Sequence, residues 1–143
     1  MQPYRFRLER VLHWQRRVWD AEQRQLEQAF AALAESRERL AQLASYSAVA
    51  EQQFLKQTAM APADLRALAE DRRKTKAERL RLERQVNQEQ IEIARQQERV
   101  MRERSKLEAL EKLRARSWSA HQLAEEKELE ALGLESHLAA HFK

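Results

Sequence analysis

The two residues of this 143-residue chain best spaced to hold a metal are His137 and His141, because positions four apart face the same way on a helix. No third ligand accompanies them in the pattern, and we expect no metal and no cofactor. Carboxylates are abundant but are interleaved with arginine and lysine, as on a solvated surface, where nothing shifts a carboxyl group toward acid–base work. Cysteine is absent, which removes thiolate nucleophiles, disulfides and cysteine metal sites, and the single glycine, Gly133, leaves no glycine-rich loop to cradle a phosphate. We therefore expect a protein that is not an enzyme.

Charge is the next candidate for chemistry. The net charge is +4, and it is unevenly distributed. Residues 1–24 hold Arg5, Arg7, Arg10, Arg16, Arg17 and Arg24 against Glu9, Asp20 and Glu22, and residues 66–84 hold eight basic side chains against four acids, whereas residues 125–135 are acidic. A basic stretch followed by Val86, Ile93, Val100 and Leu107 imitates a basic-zipper layout, so the alternative is a parallel coiled-coil dimer acting as a DNA-binding or scaffold protein. Glu70, Asp71, Glu78 and Glu83 interrupt that stretch and would repel phosphates. No nucleic-acid partner is expected.

The elements that must carry these groups are helices. Apolar residues recur every seven positions at Leu12, Trp19, Leu26, Leu33, Leu40 and Phe54, and again at Val86, Ile93, Val100 and Leu107. A second line adds Leu8, Ala29, Leu43 and Ala50 in the first stretch and Leu65, Leu68, Leu82 and Leu110 in the second, the stripe of a coiled coil. With 35% charged residues, one glycine and two prolines, the composition is that of long helices. Such a chain can bury a seam but has no interior thick enough to enclose a small-molecule substrate.

The clear break lies at Thr58-Ala59-Met60-Ala61-Pro62-Ala63-Asp64, where Pro62 fits the first turn of a new helix and Asp64 its positive end. The expected fold is all-α: two long helices in an antiparallel coiled-coil hairpin, first arm about 7–57, turn about 58–63, second arm about 62–132. One kinked helix in a parallel dimer is the alternative. From about residue 111 the second arm is expected to project beyond the first. There the apolar spacing lengthens to eleven residues, Leu107 to Trp118 to Leu129, a period that unwinds a left-handed supercoil. Gly133 is expected to end the helix, with residues 133–143 a tail.

Polar residues punctuate the stripe at Gln15, Glu22, Ser36 and Ser47 and at Arg72, Thr75, Arg79, Glu89, Gln96 and Glu103. The expectation is that the long charged side chains among them lie along the seam with their heads in water, although buried polar positions of this kind also set register. Pairs such as Glu35 with Arg39, Glu70 with Lys74, Glu98 with Arg102 and Glu108 with Lys112 would support the helices by about 0.3 kcal/mol each. The opening residues carry no apolar signal region and the longest apolar run, Ala29 to Ala34, is far short of a span, so a cytoplasmic protein is expected.

The opening Tyr4-Arg5-Phe6-Arg7-Leu8-Glu9-Arg10-Val11-Leu12 resembles the start of the FliJ family of flagellar type III export proteins. Leu107-Glu108-Ala109-Leu110 through Arg114, followed by Glu125-Glu126-Lys127-Glu128-Leu129-Glu130, resembles that family's closing stretch, with Glu130-Ala131 where the family usually has Asp-Glu. The resemblance implies a monomeric antiparallel two-helix coiled coil similar to the central stalk of rotary ATPases. The implied partners are the export ATPase hexamer, the cytoplasmic part of the export-gate membrane protein, and substrate chaperones, with membrane association through partners only. It implies that the paired terminal ends enter the ring, and partner-binding residues are expected there at Phe6, Leu8 and Arg10 and at Leu113, Arg114, Trp118, Glu128, Leu129 and Leu132, whose apolar members give a projecting helix a slender tip. The apolar residues of that end can equally continue an intramolecular contact.

Overall fold

In the computed structural model, which describes residues 2–57 and 59–142, the chain forms two helices, α1 (Glu9–Leu55) and α2 (Pro62–His141), packed antiparallel as a hairpin. The two are 47 and 80 residues long. Alanine, leucine, glutamate, glutamine and arginine dominate both, the residues that lose least on entering a helix. Among the described residues no helix is long and apolar enough to cross a membrane.

Local bonds explain the ends. The amide of Glu9 donates to the carbonyl of Phe6 at 3.2 Å and that of Leu12 to Leu8 at 2.9 Å, tightening the entry to α1. At its exit Gln57 donates to Phe54 at 3.2 Å, a closing turn of i, i+3 type. Pro62 opens α2, and the amides of Asp64 and Leu65 both donate to the carbonyl of Ala61, at 3.0 and 3.2 Å. Proline costs nothing at that position because its missing N–H would have had no intrahelical acceptor. Within the expected turn of 58–63, Thr58 lies outside the described residues.

Three boundaries differ from expectation. The first helix begins at Glu9 and ends at Leu55, inside the expected 7–57. Residues 133–141, expected as a tail, continue α2, and Gly133 sits inside it without a positive φ. One exposed glycine costs a helix about 1 kcal/mol, and the leucines, alanines and glutamates around it offset that amount.

The chain divides into two compact units, Gln23–Arg99 and Met1–Glu22 with Val100–Lys143. In the first, Leu33, Leu82 and Ile93 are buried, together with Ser36 and Gln96. The Ser36 hydroxyl donates to Glu89 Oε1 at 2.8 Å, and Gln85 Nε2 donates to the same oxygen at 2.9 Å. Nearer the turn, Tyr46 donates to the carboxylate of Asp71 at 3.3 Å, and Arg72 pairs with Glu51 at 3.7 Å. In the second unit Leu12 is fully buried, with Leu107 and Gln15 close to it in burial. Burying a leucine or isoleucine of this kind contributes about 1.5–3 kcal/mol.

The expected stripe thus forms the seam, with three corrections. Leu65 is 47% exposed. Toward the turn the half-buried edge of α2 runs through Asp71, Thr75 and Glu78, one residue before the expected Arg72 and Arg79, which are exposed. An α-helix has 3.6 residues per turn, so a strict seven-residue stripe drifts around it and a neighbouring position takes over. Gln15, Ser36 and Gln96 do not send their heads to water but are 3% exposed. Gln15 and Ser36 donate across the seam to Glu103 and Glu89, and hydrogen bonding there offsets the penalty of burial.

Candidate functional site

The chemistry of the Met1–Glu22 and Val100–Lys143 unit is concentrated where the N-terminal segment meets α2. Residues 2–6 have no regular structure, and they lie along α2 because Tyr4 has partners there. Its hydroxyl donates to the carbonyl of Arg114 at 3.2 Å. Its ring meets Trp118 edge-on, with centroids 4.9 Å apart and planes at 78°, and approaches His121 at 5.3 Å. Trp118 and His121 are themselves stacked at 6.1 Å, since positions three apart share a helix face. An edge-to-face pair of this kind adds about 0.5–1.5 kcal/mol beyond its buried area.

Charge clamps the same region. Arg114 Nε stands 3.0 Å from the carboxylate of Glu9, and Arg16 stands 3.7 Å from that of Glu111. Glu9 belongs to the first turn of α1, where a carboxylate is favoured by the helix dipole. Tyr4, Glu111, Arg114, Ala115 and Trp118 line a shallow open groove of about 370 Å³. One heptad inward, Gln15 Nε2 donates to both the carbonyl and the Oε2 of Glu103, at 3.0 and 2.6 Å, while Lys106 reaches the other carboxylate oxygen at 3.1 Å. The bond from Gln15 and then that from Lys106 hold the Glu103 carboxyl below the usual carboxylate range.

Past Glu125 the character of α2 changes. Every described residue from Glu126 to Phe142 is exposed, including Leu129, Leu132, Leu134 and Leu138. A helix of that length with this much bare leucine has its apolar faces without a partner. His137 and His141 lie on it with rings stacked 5.7 Å apart. Among the described residues no group of three or more His, Asp or Glu is placed to hold a metal ion.

The residues expected to bind partners therefore divide. Arg114 and Trp118 are engaged with the N-terminal segment, and Phe6 and Leu8 are half-buried in that unit. Arg10 and Leu113 are exposed, as are Glu128, Leu129 and Leu132 on the bare stretch. Sequence reasoning missed Tyr4, Glu9 and His121 as parts of the site. Only the i, i+3 spacing of Trp118 and His121 signalled one of them. Comparison with protein-family models, curated proteins and solved structures finds no match.

Proposed function

We propose that this chain is a non-catalytic stalk or adaptor of the flagellar type III protein export apparatus, a member of the FliJ family that promotes assembly and turnover of the export ATPase ring. In this reading it also links the ring to the cytoplasmic part of the export gate and to substrate chaperones. The observation that carries the reading is the terminal unit: the N-terminal segment is strapped to α2 at Arg114 and Trp118, and α2 then continues alone from Glu126 to His141 with exposed leucines. A paired end followed by a single slender helix suits insertion into a ring's pore. A protein without an enclosed pocket affects hydrolysis only through its differential affinity for two arrangements of the ring.

Adding the chain to an export ATPase should raise turnover and ring formation, while the chain alone hydrolyses nothing. Replacing Leu129 and Leu132 with serine, or deleting residues 122–143, should abolish the stimulation with α1 and its partner stretch of α2 still helical by circular dichroism. Full stimulation by the truncated chain would refute the reading.

A further inference from the structure

Near the turn, within the Gln23–Arg99 unit, the seam opens. Here its inward residues are small or polar, Ser47, Ala50 and Thr75, where Leu33, Leu82 and Ile93 close it farther along. The result is a groove of about 480 Å³ whose floor includes Leu43, Ala44, Ala48 and Leu68. Small residues let a third helix approach two others closely, and a two-helix seam that is only half-buried gains most from a third.

Its rim is cationic. Arg72, Lys76 and Arg79 recur at i, i+4 and i+7 along one face of α2 beside the groove. Arg72 pairs with Glu51 at 3.7 Å and lies over the Phe54 ring at 5.5 Å, and Asp71 accepts from the Tyr46 hydroxyl at 3.3 Å, so the open charge of the rim is that of Lys76 and Arg79. Lys76 makes no ion pair among the described residues, and Arg79 reaches Glu83 only at 3.9 Å.

The complementary surface is on the same molecule's other unit. On α2, Glu125, Glu128, Leu129 and Leu132 fall at i, i+3, i+4 and i+7, one face carrying two acids beside two exposed leucines. That stretch of helix carries an exposed apolar stripe beside acids. The groove carries an apolar lining beside a basic rim.

We propose that the acidic, leucine-bearing end of α2 from a second copy of this chain docks in the groove, with Leu129 and Leu132 against its apolar lining and Glu125 and Glu128 against Lys76 and Arg79. Because donor and acceptor surfaces differ, the contact forms either reciprocally within a pair or head to tail, and in both cases it hides an end that another binding partner would need. The inference stands on this complementarity and not on the export reading.

Sedimentation velocity of the full chain over a concentration series tests it, with two charge-reversed variants. One carries Lys76→Glu and Arg79→Glu, the other Glu125→Lys and Glu128→Lys. The parent chain should self-associate in a salt-sensitive manner, and each variant alone should associate about tenfold more weakly or worse. An equimolar mixture of the two should associate again, since each supplies the surface that the other lacks. Ala48→Trp, which fills the groove without altering charge, should weaken association equally and guards against a charge variant that fails to fold. A parent chain that stays monomeric across the series, or association unchanged by both the reversed groove and Ala48→Trp, would overturn the proposal.

Discussion

The hydroxyl of Tyr4 and the carbonyl of Arg114 are joined by a 3.2 Å hydrogen bond across 110 residues of chain, and the same tyrosine ring rests on the edge of Trp118. This contact decides what the N-terminal segment does, since residues 2–6 have no helix of their own to hold them. A segment without internal hydrogen bonds stays in place only through such outside partners.

Removing that ring should free the segment. In a chain with Trp14→Phe and Trp19→Phe, Trp118 is the sole tryptophan, and Tyr4→Ala should shift its emission to the red and speed proteolysis of residues 2–8. Tyr4→Phe, which keeps the ring and loses one exposed hydrogen bond, should change both by much less. Identical spectra for the parent and Tyr4→Ala would show that the aromatic contact does not hold the segment.

Glu103 makes stability depend on acid. Its bonds from Gln15 and Lys106 place its folded pKa below the unfolded one, so the interaction is fully stabilising above about pH 4.3, the ordinary glutamate value. That contribution is lost as pH falls through the lowered folded value. Urea unfolding of Glu103→Gln should give a lower midpoint than the parent at pH 7, and the gap should narrow below about pH 4. A gap independent of pH would show that the carboxylate charge is not what matters.

Trp19 contributes through area alone. It is half-buried on the seam, and its indole N–H is buried without a hydrogen-bond partner. Trp19→Ala should cost about 2–4 kcal/mol in thermal or chemical unfolding, somewhat below the cost of truncating a core tryptophan because the site is only partly dry. Trp19→Phe should recover most of that loss, as it removes the unpartnered N–H and keeps a ring.

Gly133 is a place where stability can be added. A methyl group there meets nothing within 4 Å, and the backbone is helical. Gly133→Ala should stabilise the end of α2 by about 1 kcal/mol, slowing amide exchange at residues 130–138 by about fivefold. Unchanged or faster exchange would mean that the glycine is not held in a helix.

Local physics made much of the molecule legible from the sequence alone. Helix propensity and the sevenfold spacing of Leu12, Trp19, Leu26 and Leu33 are properties of neighbouring positions, and Pro62 disfavours a helix interior through its own ring and missing N–H. Those features predict two helices, a fold-back and the buried edge, and the structure has all three. The tertiary structure alone decided which polar seam residues meet. Gln15 faces Glu103 and Ser36 faces Glu89 because register along the hairpin is a sum of many weak contacts, none of which is visible in a stretch of one helix. It also decided that Tyr4 lies on Trp118 and His121, a contact between segments more than a hundred residues apart. Gly133 continues α2 without a positive φ, because a glycine permits a helix to end but does not by itself require it.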